Sequence, residues 1–349
     1  MIARLLGDRP SPSAALYLCN ALHGSPGLRV RSHTVFDTDD AVVVVRHDAG
    51  APVPLNERRR LIYVLDDAIF AGLSDRSLPL AYRAKLALVE CASARRLLPR
   101  AETVVVSTAE VAEAIPSDLL RPSTTVVQIA PYWDAALSSL RHHAPGVPLR
   151  IGFTGGQTHA AMLTFSAPAF AAVLAAHSDA TLVMAPGHRL PASLRGHPRL
   201  RREGGSWEAY RSALPTLWRH IALYPTPDTP FARARSVNKL IEHAIIGAAA
   251  IYSERWQWAQ TAAAAGAGLV APHKPAAWRD AAMALAADPA LARQLAQRAL
   301  ALAARLNDPA AQRALWWRLL GLTPPSRSPL SGSDGTMSCA GRPSNERCG

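Results

Sequence analysis

Tyr224-Pro225-Thr226-Pro227-Asp228-Thr229-Pro230-Phe231-Ala232-Arg233-Ala234-Arg235-Ser236-Val237-Asn238-Lys239-Leu240-Ile241-Glu242-His243-Ala244-Ile245-Ile246-Gly247 lies between two short apolar runs, Ile221 to Tyr224 and Ala248 to Tyr252. Short apolar runs bounded by turn signals read as buried strands, and the Pro-rich stretch as the loop that ends the first. Val237 to Ile246 reads as a helix closed by Gly247. Strand, loop, helix, strand is the repeating unit of a parallel sheet. Arg235, Lys239 and Glu242 fall at i, i+4 and i+7, which is one face of that helix. Two cations at a helix start, beside its unpaired N–H groups, suit a diphosphate. A carboxylate one turn on suits two ribose hydroxyls. The same spacing also suits an exposed ion-pair stripe, and the pattern alone does not separate the two.

The alternation extends in both directions. Upstream, Leu149 to Phe153 is a strand running into Thr154-Gly155-Gly156-Gln157-Thr158-His159, with a helix expected from about Pro168 to Ala176. Strands are expected at Thr181–Ala185 and Gly268–Ala271, a helix at Trp207–Leu214, and Ala-rich helices between Ala276 and Leu320. Before a Pro/Gly-punctuated linker at Arg141–Pro148, the runs Ala41–Val45, Leu61–Leu65, Thr103–Ser107 and Thr124–Ile129 read as strands. Leu80 to Leu98 and Ala109 to Ile115 read as helices. Near-continuous apolar strands alternating with helices indicate parallel sheets covered on both faces. The expected class is α/β, with two Rossmann-like doubly wound domains facing across a cleft. The expected boundaries are 1–148, 149–304, a helix at 305–322 packing back toward the N-terminal domain, and a disordered Pro/Ser/Gly-rich tail at 323–349.

With 349 residues, 49% hydrophobic and 18% charged, the chain is long and apolar enough for two packed cores, which excludes a disordered protein. No apolar run approaches the roughly 18 residues of a membrane span. The start, Met1 to Arg9, breaks its apolar stretch too early for a secretory signal, so a cytoplasmic location is expected. The net charge is +12, and only Lys85, Lys239 and Lys274 are lysines. The arginines are scattered, apart from Arg58-Arg59-Arg60 and Arg199-Leu200-Arg201-Arg202, rather than gathered in one stripe, so nucleic acid is not the expected partner. Such a surface still favours anions such as nucleotide phosphates or acidic lipids. Cys19 and Cys91 read as core, Cys339 and Cys348 fall in the tail, and no zinc or redox spacing occurs. The phosphate loop Gly-x4-Gly-Lys-Ser/Thr, the nucleophile elbow, His-Glu-x-x-His and the dinucleotide fingerprint are all missing, which counts against a dehydrogenase.

The ordered series of segments resembles the retaining "group 1" (family 4-like) glycosyltransferases of GT-B fold. The likeness rests on Phe231-x-Arg233-Ala234-Arg235-Ser236-x-x-Lys239-x-x-Glu242-x-x-x-x-Gly247, on Ala250–Ser253, on Gly266–Val270 and on Trp278 with Asp288-Pro289. Upstream it includes Arg150–His159, Ser107–Glu110 and Tyr63–Phe70. It is strongest over residues 150–300, weaker over 60–130 and negligible in the tail. The resemblance implies transfer of a hexosyl group from a nucleotide-sugar donor to the hydroxyl of a glycan or lipid-linked acceptor, in cell-surface polysaccharide or glycoconjugate synthesis. It further implies retention of configuration and no obligatory metal; peripheral contact with the inner face of an anionic membrane is an expectation that rests on the basic surface. Asp37-Thr38-Asp39 falls too early for a metal-binding Asp-x-Asp. Donor-binding positions would be Gly155, Gly156, His159, Arg235, Ser236, Lys239 and Glu242, with Glu242 the ribose carboxylate. Its usual acidic companion would fall at Ala234 and is absent. Asp66 and Asp67 would orient or deprotonate the acceptor, although an Asp pair after a strand also suits turn capping. His142, His143 and His188 read as solvated. The alternative is a non-catalytic glycosyltransferase-like protein that binds nucleotides or sugars.

Overall fold

The computed structural model describes residues 10–322 apart from 24, 26, 49, 51–52, 54–58, 187–188 and 215. The tail from residue 323, with Cys339 and Cys348, and His188 lie outside the described residues. Two six-stranded sheets organise the chain.

In the N-terminal sheet, β1 (Arg29–Val30), β2 (Val35–Asp37), β3 (Ala41–Val45), β4 (Arg60–Leu65), β5 (Thr103–Val106) and β6 (Thr125–Gln128) lie side by side in chain order. β3 to β6 pair in parallel as the apolar runs suggest, while β1 and β2 add an antiparallel edge. Asp37, in the early Asp-Thr-Asp, is buried at this edge between Arg29 (2.9 Å), Arg31 (2.8 Å) and Arg59 (2.9 Å). Because side chains alternate along a strand, Val42, Val44, Leu61 and Tyr63 pack on one face against Ile69, Leu86, Leu97 and Val111. Val43, Val45, Ile62 and Val64 pack on the other face with Leu16, Leu18 and Leu22. The helix Pro309–Leu320 returns to that second layer. Its Trp316 Nε1 donates to Tyr17 O (2.7 Å), and Gln312 Nε2 donates to Ala130 O (2.7 Å) and Leu16 O (3.0 Å).

The C-terminal sheet contains β7 (Arg150–Phe153), β8 (Thr181–Met184), β9 (Leu200–Arg202), β10 (Ile221–Tyr224), β11 (Ala249–Ser253) and β12 (Leu269–Ala271). Its order is β12-β11-β10-β7-β8-β9, parallel throughout. The chain runs outward from β7 to β9, then crosses back and places β10 on the other side of β7. Loops leaving the carboxyl ends of β7 and β10 therefore diverge, and a crevice opens between them.

Two local expectations change. The helix expected from Pro168 begins at Ala160 and runs to Ala176 with Pro168 inside it. A mid-helix proline costs about 3 kcal/mol, but Met162, Leu163, Ala167, Ala169 and Phe170 are buried on the sheet side and outweigh it. His142 and His143 are buried rather than solvated. Gly247, at φ +69°, ends the helix Asn238–Ile245 and exposes its carbonyl, which meets His143 Nε2 (2.8 Å) and His142 Nε2 (3.1 Å). His220 Nε2 faces His142 O (2.8 Å), and its Nδ1 accepts from Arg150 N (3.0 Å). Desolvation lowers His143 and His220 to about 4, so neutral rings fasten this linker to the C-terminal domain.

Candidate active site

The first loop of the crevice, 154–156, leaves β7 and ends in the turn Gln157–His159 that leads into Ala160–Ala176. Glycine is needed at 155 because a Cβ there would stand 2.9 Å from His159 Cγ. The His159 ring folds back beneath that glycine and places Nε2 against Arg235 Nη1.

The second loop leaves β10 and makes the short helix Pro230–Arg233. Thr229 Oγ1 caps it at Ala232 N (3.2 Å) and donates to Asp75 Oδ2 of the N-terminal half (2.6 Å). Phe231 and Ala234 pack into the N-terminal core. Thr108 Oγ1 donates to Ala234 O (3.0 Å), and Tyr17 O–H donates to Ser236 Oγ (2.8 Å). The next helix starts at Asn238. Arg235 thus precedes it in the loop and does not share a helical face with Lys239 and Glu242, because the contacts of Phe231 and Ala234 with the N-terminal domain divide the segment into two helices. Arg235 nevertheless reaches the same place. Arg235, Ser236, Lys239 and His159 line one cavity of about 330 Å³ with Asp66 and Asp67. Arg235 Nε is buried with no hydrogen-bond partner among the described residues.

On the N-terminal side the residue that sequence reasoning missed is Arg46. It follows β3 directly and takes a left-handed backbone (φ 64°), a conformation rare for a long side chain and one that recurs at functional sites. Its guanidinium reaches Asp67 Oδ2 (2.7 Å), Asp66 Oδ1 (3.3 Å), Glu90 Oε2 (2.7 Å) and the Tyr82 hydroxyl (3.0 Å). Ser13 Oγ donates to the other oxygen of Asp66 (2.6 Å). Burial pushes the Asp66 carboxyl up, Arg46 opposes the shift, and Asp67 adds to it. A proton-accepting group of raised affinity therefore faces the cavity. A charge immediately after five buried apolar residues was the available signal for Arg46.

Glu242 is only 3% exposed, which removes the reading of a solvated stripe. It accepts from Tyr210 O–H (2.6 Å) and pairs with the Lys239 ammonium one turn away. Burial and the Glu242 charge raise the Tyr210 phenol well above its ordinary value. Glu242 borders a second cavity of about 220 Å³, together with Gly155, Gly156, Trp133 and Trp207. Lys239 lines both cavities. Trp133 comes from the segment crossing between the sheets; its Nε1 donates to Asn238 Oδ1 (2.6 Å) and its ring meets Trp207 edge-on at 5.5 Å. Neither aromatic was singled out as a site residue: Trp133 is a lone Trp between elements, and Trp207 reads only as the start of a helix. Behind the site, His243 is fully buried and held at about 3 by desolvation, with Nε2 3.0 Å from Thr154 Oγ1; it ties the helix to the first loop.

All nine residues singled out in the sequence thus border two adjoining cavities between the sheets. Cations from both halves and the amides of 155–156 suit a diphosphate, a carboxylate with free lone pairs suits hydroxyls, and the aspartates stand across the gap.

No protein-family model and no curated protein matches the chain in sequence. Its structure is similar to that of sucrose-phosphate synthase from Thermosynechococcus elongatus, at 15% identity over 75% of this chain and 67% of that one (TM-score 0.51). It is similar to Anabaena HepE in complex with UDP and glucose, at 15% identity over 76% and 72% (TM-score 0.51). A third similar structure is WaaG, a glycosyltransferase involved in lipopolysaccharide biosynthesis, at 13% identity over 75% and 78% (TM-score 0.53). The chain has the GT-B fold. In GT-B terms, the site just described occupies the cleft between the two Rossmann-like domains, and no helix among the described residues is long and apolar enough to cross a membrane.

Proposed function

We propose that this protein is a glycosyltransferase that moves a hexosyl group from a nucleotide-sugar donor to an acceptor hydroxyl, with retention of configuration and without an obligatory metal. The observation that carries the reading is the convergence of Arg235, Lys239 and His159 on one cavity opposite Asp66 and Asp67. The barrier to transfer lies in charge developing on the departing diphosphate, and fixed cations in a partly desolvated cleft stabilise it without reorganisation. Arg235 and Lys239 would take the diphosphate, Glu242 the ribose, and Asp66 or Asp67 the acceptor hydroxyl. HepE, a structure of similar fold, is described with UDP and glucose, which supports a uridine nucleotide sugar as the first donor to try. A glycan or lipid-linked acceptor of cell-surface synthesis fits the same reading.

A non-catalytic nucleotide- or sugar-binding protein is the second reading. Ala234 favours it: the side chain is buried in the N-terminal core, where the expected acidic partner of Glu242 would have no room to face the cleft. A thermal-shift screen of nucleotide sugars, followed by a donor-hydrolysis and transfer assay on the best binder, separates the two. Stabilisation with turnover supports the transferase, stabilisation without turnover supports the binding protein, and no stabilisation by any nucleotide sugar overturns both.

A further inference from the structure

Arg46 has two edges, and each meets acid. Its Nη1 donates to Asp67 Oδ2 (2.7 Å) and Asp66 Oδ1 (3.3 Å), the pair that faces the cleft. Its Nε (2.9 Å) and Nη2 (2.7 Å) both donate to one oxygen of Glu90, and the other oxygen of Glu90 stands 2.9 Å from Lys85 Nζ. Glu90 comes from Leu86–Cys91, a π-helical stretch of the kind that often marks a functional position. It is fully buried and borders neither cavity of the site, so no ligand there reaches it. A buried carboxylate gains little net stability from its pairing, and its charge acts on its neighbours. With Glu90 ionised, three carboxylates (Glu90, Asp66, Asp67) face two cations (Arg46, Lys85), and one proton on the aspartate pair restores balance. Without the Glu90 charge, both aspartates could ionise against the same two cations.

We propose that Glu90 is a positioning residue: it divides the charge of Arg46, and so keeps the Asp66–Asp67 pair able to hold a proton. The remaining groups around Asp66 keep their charge where carboxylates titrate. Burial works against ionising Glu90 itself, but Arg46 and Lys85 outweigh it and hold its carboxyl below the ordinary range. Burial raises the Tyr17, Tyr82 and Tyr224 phenols, which stay protonated. Desolvation lowers His47 to about 4, so its ring is neutral above that. Across the cavity Arg235 and Lys239 remain cations, and His159 Nε2 accepts from Arg235. The bearing on catalysis rests on the transferase reading. There Asp66 or Asp67 takes the acceptor's hydroxyl proton as that oxygen bonds the anomeric carbon, and the diphosphate leaves with the electrons of the broken bond.

The test follows the Asp66 carboxyl by carbon-13 NMR in the full chain labelled at aspartate Cγ, without donor or acceptor, with D66N identifying the signal. Glutamine still accepts from Arg46, so E90Q removes the charge and keeps the contact. The Asp66 midpoint should fall by about one pH unit in E90Q, the order expected for one charge lost across a buried guanidinium. K85M, at a half-exposed cation, should move it upward, because Glu90 then acts on Arg46 alone. A loss of packing would not reverse direction with the sign of the charge removed. Should E90Q fail to fold, E90Q/K85M removes both charges, and its midpoint should lie below that of K85M. A midpoint unchanged or raised in E90Q, or in E90Q/K85M relative to K85M, overturns the proposal. With a donor that turns over, the acid limb of the rate–pH profile should move down with the midpoint while donor affinity stays as in wild type. A midpoint that moves as expected in a protein with no turnover on any donor supports the proposal and overturns the transferase reading. Turnover with an unmoved midpoint overturns the proposal alone.

Discussion

Replacing Glu242 by alanine tests the burial of the site and its donor role in one protein. The carboxylate is 3% exposed and has two partners, the Tyr210 hydroxyl at 2.6 Å and the Lys239 ammonium, whose side chain is 12% exposed. Its removal leaves a phenol and an ammonium without their acceptor. Breaking a buried pair costs about 3–5 kcal/mol, and the cavity beside Lys239 admits water, so the lower end applies. At about 2–4 °C per kcal/mol for a domain of this size, E242A should melt roughly 6–12 °C below wild type. Glutamine keeps one oxygen to accept from Tyr210 but loses the charge and the second acceptor that Lys239 uses, so E242Q should melt between E242A and wild type. Donor binding tells the other half. Losing one charge-assisted hydrogen bond costs about 1.5–3 kcal/mol, or about 10- to 100-fold in affinity, and both variants should show it. Differential scanning calorimetry gives the first quantity, and isothermal titration with the best nucleotide sugar the second. An E242A protein that melts with wild type would refute the buried pair. Unchanged affinity in both folded variants would remove Glu242 from the donor site.

D66N and D67N should each lower transfer about 100-fold or more if either carboxylate handles the acceptor proton, with donor affinity unchanged by titration; wild-type turnover in both would return the pair to a role in holding Arg46. G155A should weaken donor affinity, because its Cβ would stand 2.9 Å from His159 Cγ and must displace the ring from Arg235; unchanged affinity would show that the His159 placement is irrelevant to binding. Stability should also depend on pH through His143 and His220. Their folded values of about 4 lie below the ordinary 6.5, so the unfolded chain binds more protons between these limits. Their neutral packing contributes fully above pH 6.5 and is lost as pH falls toward 4, by on the order of 2 kcal/mol per ring at pH 5. H143Q should flatten melting temperature against pH across that window, and an unaltered profile would place the ring in solvent.

The β-branched runs Ala41–Val45 and Thr103–Val106, the strand–loop–helix–strand unit from Ile221 to Ser253, and the glycine that ends Asn238–Ile245 were legible in the sequence. Each depends on local sterics, on periodicity, or on a backbone angle that one residue type favours. The pairing of Lys239 with Glu242 was legible for the same reason, since three residues along a helix are neighbours whatever surrounds them. What surrounds them was not legible. Burial of Glu242 depends on Tyr210, 32 residues away, and the aspartate pair is held by Arg46, 20 and 21 residues upstream. The interruption before Arg235 comes from Phe231 and Ala234 packing into the other domain, and the burial of His142 and His143 from the carbonyl of Gly247. Arg46 meets the aspartates because β3 and β4 pair in parallel and end side by side, and the contacts of the C-terminal half follow from β10 returning to lie beside β7 rather than beside β9. Strand order is decided by how whole layers cover one another, and the periodicity of a single strand is the same wherever in the sheet it sits.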